Sequence, residues 1–313
     1  MNCKKANFAF LMLVIIHYLV VIGLNVYYYL NPSSKEIGII MNLVLSEAII
    51  VLPVLTVALI AKRGESLGEI LGFHKIKIST ALMIVLFTFL VMPLATLLNA
   101  ISMLFVDNQI ADMTGDMLHV PFFLMFLLMA VYGPLCEEIV FRGVIYHSYR
   151  HSRNLVFSVI GSAVLFGLMH LNFNQAPYAI ALGIMMALLV EATGSTTSSF
   201  LLHLIFNGET VCVMFLENKL MPESFLKSME NQNYSSSELI SAISVSIVMA
   251  AICTTLALCL LNKIAENENR HHFLPVVWGT RHNHRERIIT PALVIAVVLC
   301  LVYMIADVLI FSK

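Results

Sequence analysis

Residues 122–142 read FFLMFLLMAVYGPLCEEIVFR, and this stretch decides the fold. Its first half is apolar enough to lie in lipid, whereas its second half carries three ionisable side chains, Glu137, Glu138 and Arg142. An ionisable group inside a bilayer costs about 3 kcal/mol or more, so such groups are treated as functional by default. The stretch therefore predicts a membrane helix that holds a functional polar site.

The composition of the whole chain is that of a membrane protein. Of its 313 residues, 59% are hydrophobic and 12% are charged, and the mean hydropathy is +0.89. Soluble domains carry about 25% charged residues. The apolar runs are continuous rather than alternating, so we expect an all-α, polytopic integral membrane protein in contact with membrane lipid. A net charge of −1 argues against a nucleic-acid partner, which requires a basic surface.

The apolar runs divide the chain into nine candidate spans, since a helix needs about 20 apolar residues to cross a bilayer. In chain order the candidates are Phe8–Leu30, Ile37–Ala61, Thr80–Val106, Val120–Tyr146, Leu155–His170, Tyr178–Ala192, Ser198–Leu216, Leu239–Leu261 and Pro291–Phe311. The fifth and sixth are short enough for one of them to be re-entrant, so we expect about eight to nine transmembrane helices. They form an N-terminal region (1–119), a catalytic core (120–216) and a C-terminal region (217–313).

The distribution of Lys and Arg indicates the orientation of the chain. With nine spans and the N-terminus inside, 14 of the 18 basic residues fall in inside segments and 4 in outside segments. Inside segments of membrane proteins are enriched in basic residues. We therefore expect a cytoplasmic N-terminus, and the compactness of the chain favours a bacterial plasma membrane.

The segment 262–290 is predicted to be a charged loop on the inside. It contains four histidines, which lack the Cys or carboxylate spacing of a metal site, so we interpret them as solvated. They are His271, His272, His282 and His284.

The three charges of the central stretch have different expected roles. Glu138 and Arg142 are four residues apart, hence on one helix face and in the favourable acid-before-base order. Arg142 can therefore neutralise Glu138. Glu137 lies about 100° further round the helix and faces a different cavity. A structural ion pair would explain Glu138 and Arg142 but not the second carboxylate, so Glu137 is the candidate for chemistry.

Two later spans supply polar partners for Glu137. The fifth span ends in His170, four residues after Phe166. If the fourth and fifth spans form a hairpin, Glu137 and His170 lie at the same depth to within about one helical turn. The seventh span carries His203 and Asn207, four residues apart and on one face.

The combination of Glu-Glu-x3-Arg, Phe-x3-His and His-x3-Asn resembles the CPBP family, the CAAX prenyl endoproteases and their bacteriocin-processing and self-immunity relatives. The similarity covers roughly Val120 to Cys212, together with the loop Leu71-Gly72-Phe73. It implies an intramembrane endopeptidase that hydrolyses a peptide bond in a membrane-associated or lipidated peptide or protein. A eukaryotic source would favour prenylated proteins as substrates and a bacterial source would favour small peptides.

The resemblance also implies a metal-free, glutamate-type mechanism, which the residue types allow. Glu137 would act as general base on a water that His170 helps to hold. His203 and Asn207 would stabilise the oxyanion, as other side-chain donors do. A rival assignment makes His170, His203 and Glu137 the ligands of a zinc ion, as in metallopeptidases. Asn207 fits the oxyanion role better than any role at zinc.

Two functions of other classes are alternatives. A non-catalytic immunity or regulatory scaffold would keep the fold but does not require complete motifs, and all three motifs are complete here. A secondary transporter could use Glu137 and Glu138 as a proton relay, but that function gives no reason for the pair His203 and Asn207.

Other polar residues in the spans are isolated in the sequence. They are His17, Asn25, Glu47, Asn99 and Asp307. Glu47 and Asp307 could line a substrate path, but we expect each to make a hydrogen bond between helices. Glu209 follows Asn207 closely and is given no role.

Overall fold

The structure of the protein is a computed structural model that describes residues 1–33, 37–61, 66–106, 108–152, 155–221, 236–270 and 289–311. Within these ranges the regular structure is helical. The helices before the central stretch are α1 (Cys3–Leu30), α2 (Ile39–Ala61), α3 (Leu67–Leu71), α4 (Ile78–Ser102) and α5 (Gln109–Leu118). The helices after it are α9 (Leu155–Met169), α10 (Gln175–Thr193), α11 (Thr196–Leu220), α12 (Ser236–Asn267) and α13 (Pro291–Phe311).

The central stretch forms one unbroken helix, here named the site helix, which consists of five segments. They are α6 (Phe122–Phe126), π1 (Leu127–Tyr132), α7 (Gly133–Glu138), π2 (Ile139–Tyr146) and α8 (His147–Ser152). The two π segments have wider turns than an α-helix, and such turns are frequent at functional sites. They flank α7, which carries both glutamates.

Eight helices in the described part of the chain are long and apolar enough to cross a membrane. The shorter α9, with 15 residues, corresponds to the fifth predicted span. The prediction of an all-α, polytopic membrane protein with about eight to nine spans is therefore confirmed. The orientation of the chain stays a prediction.

The core lies around the site helix and α10. In the apolar window of α10, 56% of residues are buried, and in that of the site helix 44%, against 11% in α12. Glycines allow the close packing of α9 and α10: a methyl group at Gly183 would lie 3.0 Å from the Cα atom of Ala163. The remaining helices surround this core and leave much of their apolar surface for lipid.

Helix α3 fixes the loop before α4 to the core. Ser66 and Glu69 form a reciprocal cap at its first turn, and Gly72 ends it in the left-handed region, with φ of 66°. The hydroxyl of Thr196 then donates to the carbonyl oxygen of Leu71 at 2.8 Å. The loop is thereby attached to the start of α11, the helix that carries His203 and Asn207.

The predicted loop 262–290 is wrong at its start, because α12 continues to Asn267. Polar side chains one turn apart support this extension. Asn262 donates to Glu266 at 2.9 Å, and Lys263 pairs with Glu266 at 3.0 Å. The amide of Asn267 also donates to Ser79 and Thr80 at the start of α4, at 2.8 Å each. The four histidines of this loop lie outside the described residues.

Candidate active site

A buried charge cluster of Glu138, Arg142 and His203 forms the inner part of the site. The guanidinium of Arg142 lies 2.8 Å from Glu138 Oε1, and both side chains are inaccessible to solvent. His203 Nδ1 lies 3.0 Å from the same oxygen. Because buried charges are tolerated only when they are paired, these contacts account for the presence of Glu138 in the core. The spacing of Glu138 and Arg142 correctly predicts their pairing.

Phe166 forms the floor of this cluster. The Cζ atom of Arg142 lies 4.3 Å from the centre of its ring, which is cation–π geometry. His203 and His170 approach the same ring edge-on, with centroid distances of 5.8 Å and 5.0 Å. The Phe-x3-His motif therefore contributes its phenylalanine to the site as directly as its histidine.

His203 connects the two adjacent glutamates. A carboxylate can only accept, so the Nδ1 that contacts Glu138 carries a proton. The other ring nitrogen, Nε2, then faces Glu137, with 3.5 Å between Nε2 and Oε2. The imidazole is thus oriented by Glu138 and presented to Glu137.

Glu137 lines a cavity of about 100 Å³ between α2, the site helix and α11. Its side chain is 15% exposed, whereas that of Glu138 is fully buried. We name this space the carboxylate cavity, because Glu137 shares it with a second carboxylate, Glu47, and with Asn207. Most of the remaining lining is apolar.

Asn207 is held in the cavity by a backbone irregularity of the site helix. In π1 the amide of Gly133 donates to the carbonyl of Leu128, five residues back. The next amide in this series would belong to Pro134, which has none. The carbonyl of Met129, five residues before Pro134, instead accepts from Asn207 Nδ2 at 3.0 Å. The proline therefore leaves an acceptor that fixes Asn207.

His170 has fewer contacts with the other candidate catalytic residues than the sequence suggests. It follows the last residue of α9, and its Nδ1 lies 2.9 Å from the carbonyl oxygen of Phe166. Nδ1 therefore carries the proton, and Nε2 is the nitrogen that can accept. Among the described residues, His170 forms no ion pair with Glu137 within 4.0 Å. Of the four candidate catalytic residues, the structure joins Glu137 directly to His203, places Asn207 in the same cavity, and connects His170 through Phe166.

The zinc assignment does not fit this arrangement. No group of three His, Cys, Asp or Glu side chains in the described part of the chain is placed to hold a metal ion. His170, His203 and Glu137 accordingly do not form a ligand set in this structure.

Glu47 is the site residue that the sequence interpretation missed. We expected a hydrogen bond between helices, but no donor in the described ranges lies within reach of the buried Oε2 atom. The carboxylate instead lies beside Gly133, where an added methyl group would be 3.4 Å from Oε1. A signal existed, because Glu47 is the one charged residue in the sequence of α2, and an isolated intramembrane carboxylate is functional by default.

Comparisons with known proteins match the segment of the chain that contains this site. Residues 119–208 match the model of the family described as type II CAAX prenyl endopeptidase Rce1-like. The resemblance to membrane CAAX proteases that the three motifs carry is therefore confirmed. All four candidate catalytic residues lie inside the matched segment, and Glu47 lies outside it.

Two bacterial proteins show the same similarity. The chain is 31% identical over 94 residues to the Bacillus subtilis protein YdiL, which is named as a membrane peptidase, and this alignment covers 30% of the chain and 38% of YdiL. It is 28% identical over 121 residues to the membrane-embedded CAAX protease MroQ of Staphylococcus aureus, covering 37% of the chain and 47% of MroQ. The chain thus matches less than half the length of either relative. No solved structure matches.

Proposed function

We propose that the protein is a membrane-embedded endopeptidase in which Glu137 activates a water. The observation that carries this proposal is that two adjacent glutamates have different surroundings. Glu138 is paired with Arg142 and His203, whereas Glu137 faces a cavity. The similarity to proteins named as membrane peptidases supports the same conclusion. The bacterial relatives favour a bacterial plasma membrane as the location. The distribution of Lys and Arg favours a cytoplasmic N-terminus.

The reaction begins when Glu137 removes a proton from a water as the water oxygen attacks the scissile carbonyl carbon. A buried water needs about 10–15 Å³, so the cavity of about 100 Å³ is large enough to contain it. General-base catalysis of this kind contributes about 10²–10⁴-fold to the rate. His170 can help to hold the water through Nε2, the ring nitrogen that its bond to Phe166 leaves as an acceptor.

Asn207 and His203 stabilise the oxyanion that forms at the attacked carbonyl. Asn207 donates one amide hydrogen to Met129, which fixes its side chain and leaves the second amide hydrogen for the substrate. A protonated His203 donates from Nε2 beside Glu137. Pre-oriented donors of this kind are worth about 10²–10³-fold in rate each.

The proposed substrates are membrane-associated or lipid-anchored peptides and proteins. The site lies among helices that are apolar enough to cross a membrane, which favours a substrate that is itself associated with the membrane. The name of MroQ as a CAAX protease is consistent with this class.

The test is cleavage of a pool of membrane-associated peptides, prenylated members included, by the purified protein in proteoliposomes. Glu137→Gln should reduce cleavage about 10²–10⁴-fold, whereas Glu217→Gln, at an exposed position of α11, should cleave like the wild type. Equal activity of Glu137→Gln and the wild type would exclude the proposed mechanism. A chelator should have no effect; loss of activity with the chelator and recovery with zinc would support the metal-dependent alternative.

A further inference from the structure

We propose that Glu47 is the proton donor of the same site, so that Glu47 and Glu137 act as an acid–base pair on one peptide bond. This inference rests on the proposed endopeptidase function and assigns a catalytic residue outside the segment that matches the CAAX protease family. It is carried by the position of Glu47 in the carboxylate cavity and by its lack of an ionic partner among the residues that the structure describes.

The cavity brings together two carboxylates from distant parts of the chain. Glu47 comes from α2 and Glu137 from α7, and both line the same space with Asn207. The two are close enough to interact electrostatically. The two helices approach each other closely here, since a methyl group added at Gly133 would lie 3.4 Å from Glu47 Oε1. A peptide bond held at Asn207 would therefore meet both carboxylates.

The surroundings of the two carboxylates favour different protonation states. Glu137 has a basic neighbour, His203, whose Nε2 lies 3.5 Å from its Oε2. Glu47 forms no ion pair with any described residue. The titratable side chains that interact with it all come from the site helix and are Glu137, Cys136 and Tyr132. Helix α1, which also packs against α2, adds none to the cavity lining.

An ionised Glu47 would be unpaired and beside a like charge, so Glu47 holds the proton and Glu137 the charge. Pairs of carboxyl groups whose environments differ in this way divide into an acid and a base. Glu47 therefore starts the reaction as the acid of the site.

The reaction balances with this division. Glu137 takes one proton of the water, and the water oxygen bonds to the carbonyl carbon. When the carbon–nitrogen bond breaks, its electron pair goes to the nitrogen, which takes the proton of Glu47 and leaves as an amine. The new carboxylic acid retains the second water proton and later releases it to solvent. Transfer of a proton from Glu137 to Glu47 restores the starting state.

The test compares two bonds in one peptide. A peptide from the pool that the wild type cleaves is synthesised with its scissile amide and, separately, with a thioester at that position. An amide nitrogen must be protonated to leave, whereas a thiolate, with a thiol pKa of about 8.5, leaves without a proton donor. Glu47→Gln should lower kcat for the amide by about 10²-fold or more and leave thioester cleavage nearly unchanged.

Two further variants serve as controls for Glu47→Gln. Glu137→Gln should lower cleavage of both bonds, because both need an activated water. Ser46→Ala, next to Glu47 on α2, should lower neither, since its hydroxyl bonds only within its own helix. Thioester cleavage by Glu47→Gln also reports that this variant is folded. An equal loss for both bonds in Glu47→Gln, or no loss for either, would overturn the role of Glu47 while leaving that of Glu137 intact.

The wild-type pH profile gives a measurement that needs no variant. Amide cleavage should decline on the alkaline side as Glu47 loses its proton, and thioester cleavage should not. Identical alkaline profiles for the two bonds would also overturn the inference. A wild type that cleaves no member of the pool, or a fully active Glu137→Gln, would instead contradict the proposed function itself.

Discussion

The buried charge cluster and the carboxylate cavity both contain glutamate side chains, but the surroundings of these glutamates differ. In the cluster, Glu138 contacts Arg142 and His203 at 2.8 Å and 3.0 Å and is closed to solvent. In the cavity, Glu47 and Glu137 face open space, and Glu137 has one basic contact at 3.5 Å. A close contact with an opposite charge makes a charged side chain structural, whereas a weaker contact leaves it available to a substrate. His203 belongs to the first region through Nδ1 and reaches the second through Nε2.

The largest expected effect comes from breaking the cluster. Arg142→Met removes the guanidinium from the buried Glu138 and leaves only the contact from His203. Removal of one partner of a buried pair costs about 3–5 kcal/mol. Thermal unfolding in detergent should show a lower Tm. The double variant Glu138→Met/Arg142→Met should recover much of this loss, because no unpaired charge remains; a double variant as unstable as the single one would contradict the pairing argument.

A smaller effect is expected where the cavity meets the backbone of the site helix. Asn207→Ala removes one oxyanion donor and should lower kcat about 10²–10³-fold. Asn207→Asp should be worse than Asn207→Ala, because a carboxylate cannot donate to the carbonyl of Met129 and adds a third acid to the cavity. Steady-state kinetics on one peptide give the order of the two variants, and the reverse order would argue against the donor role.

Removal of the cavity charge should cost little stability. Glu137→Gln loses one contact to His203 at 3.5 Å and should change the free energy of unfolding by less than about 1 kcal/mol, near the value for an ordinary polar contact. The same Tm assay as for Arg142→Met measures it. A destabilisation as large as that of Arg142→Met would remove the distinction between the two regions.

The smallest effect belongs to a carboxylate outside both regions. Hydrogen bonds from the backbone amide and hydroxyl of Ser66 hold the pKa of the exposed Glu69 below its ordinary value. A lowered folded-state pKa contributes stability above the ordinary pKa, and this is lost as the pH falls through the lowered value. Ser66→Ala should raise the pKa of Glu69 in an NMR titration and leave peptide cleavage unchanged.

The sequence predicts the parts of the site that depend on local spacing. Residues four apart on a helix must share a face, so the Glu138–Arg142 pair follows directly from the sequence. The outward position of Glu137 follows from the same geometry. The lengths of the apolar runs predict the helices. They fail at the end of α12, where polar contacts such as those of Glu266 continue the helix without an apolar pattern.

The parts that depend on packing between distant helices could not be predicted. Nothing in the sequence near Glu47 indicates that α2 lies against α7, because that contact joins positions about ninety residues apart. The bridging of both glutamates by His203 depends on the rotation of α11, which spacing does not determine. The weak connection of His170 depends on where α9 ends. These features follow from the packing of the core.

The bond between Asn207 and Met129 joins residues 78 positions apart, and it depends on an atom that Pro134 does not have. With alanine at position 134, the helix would supply its own amide to that carbonyl and could release Asn207 without altering a single charged residue. For protein design, copying the Glu-Glu-x3-Arg motif onto a regular α-helix would therefore reproduce the charges and not the site. The site therefore depends on a backbone hydrogen bond that the helix lacks, because residue 134 is a proline.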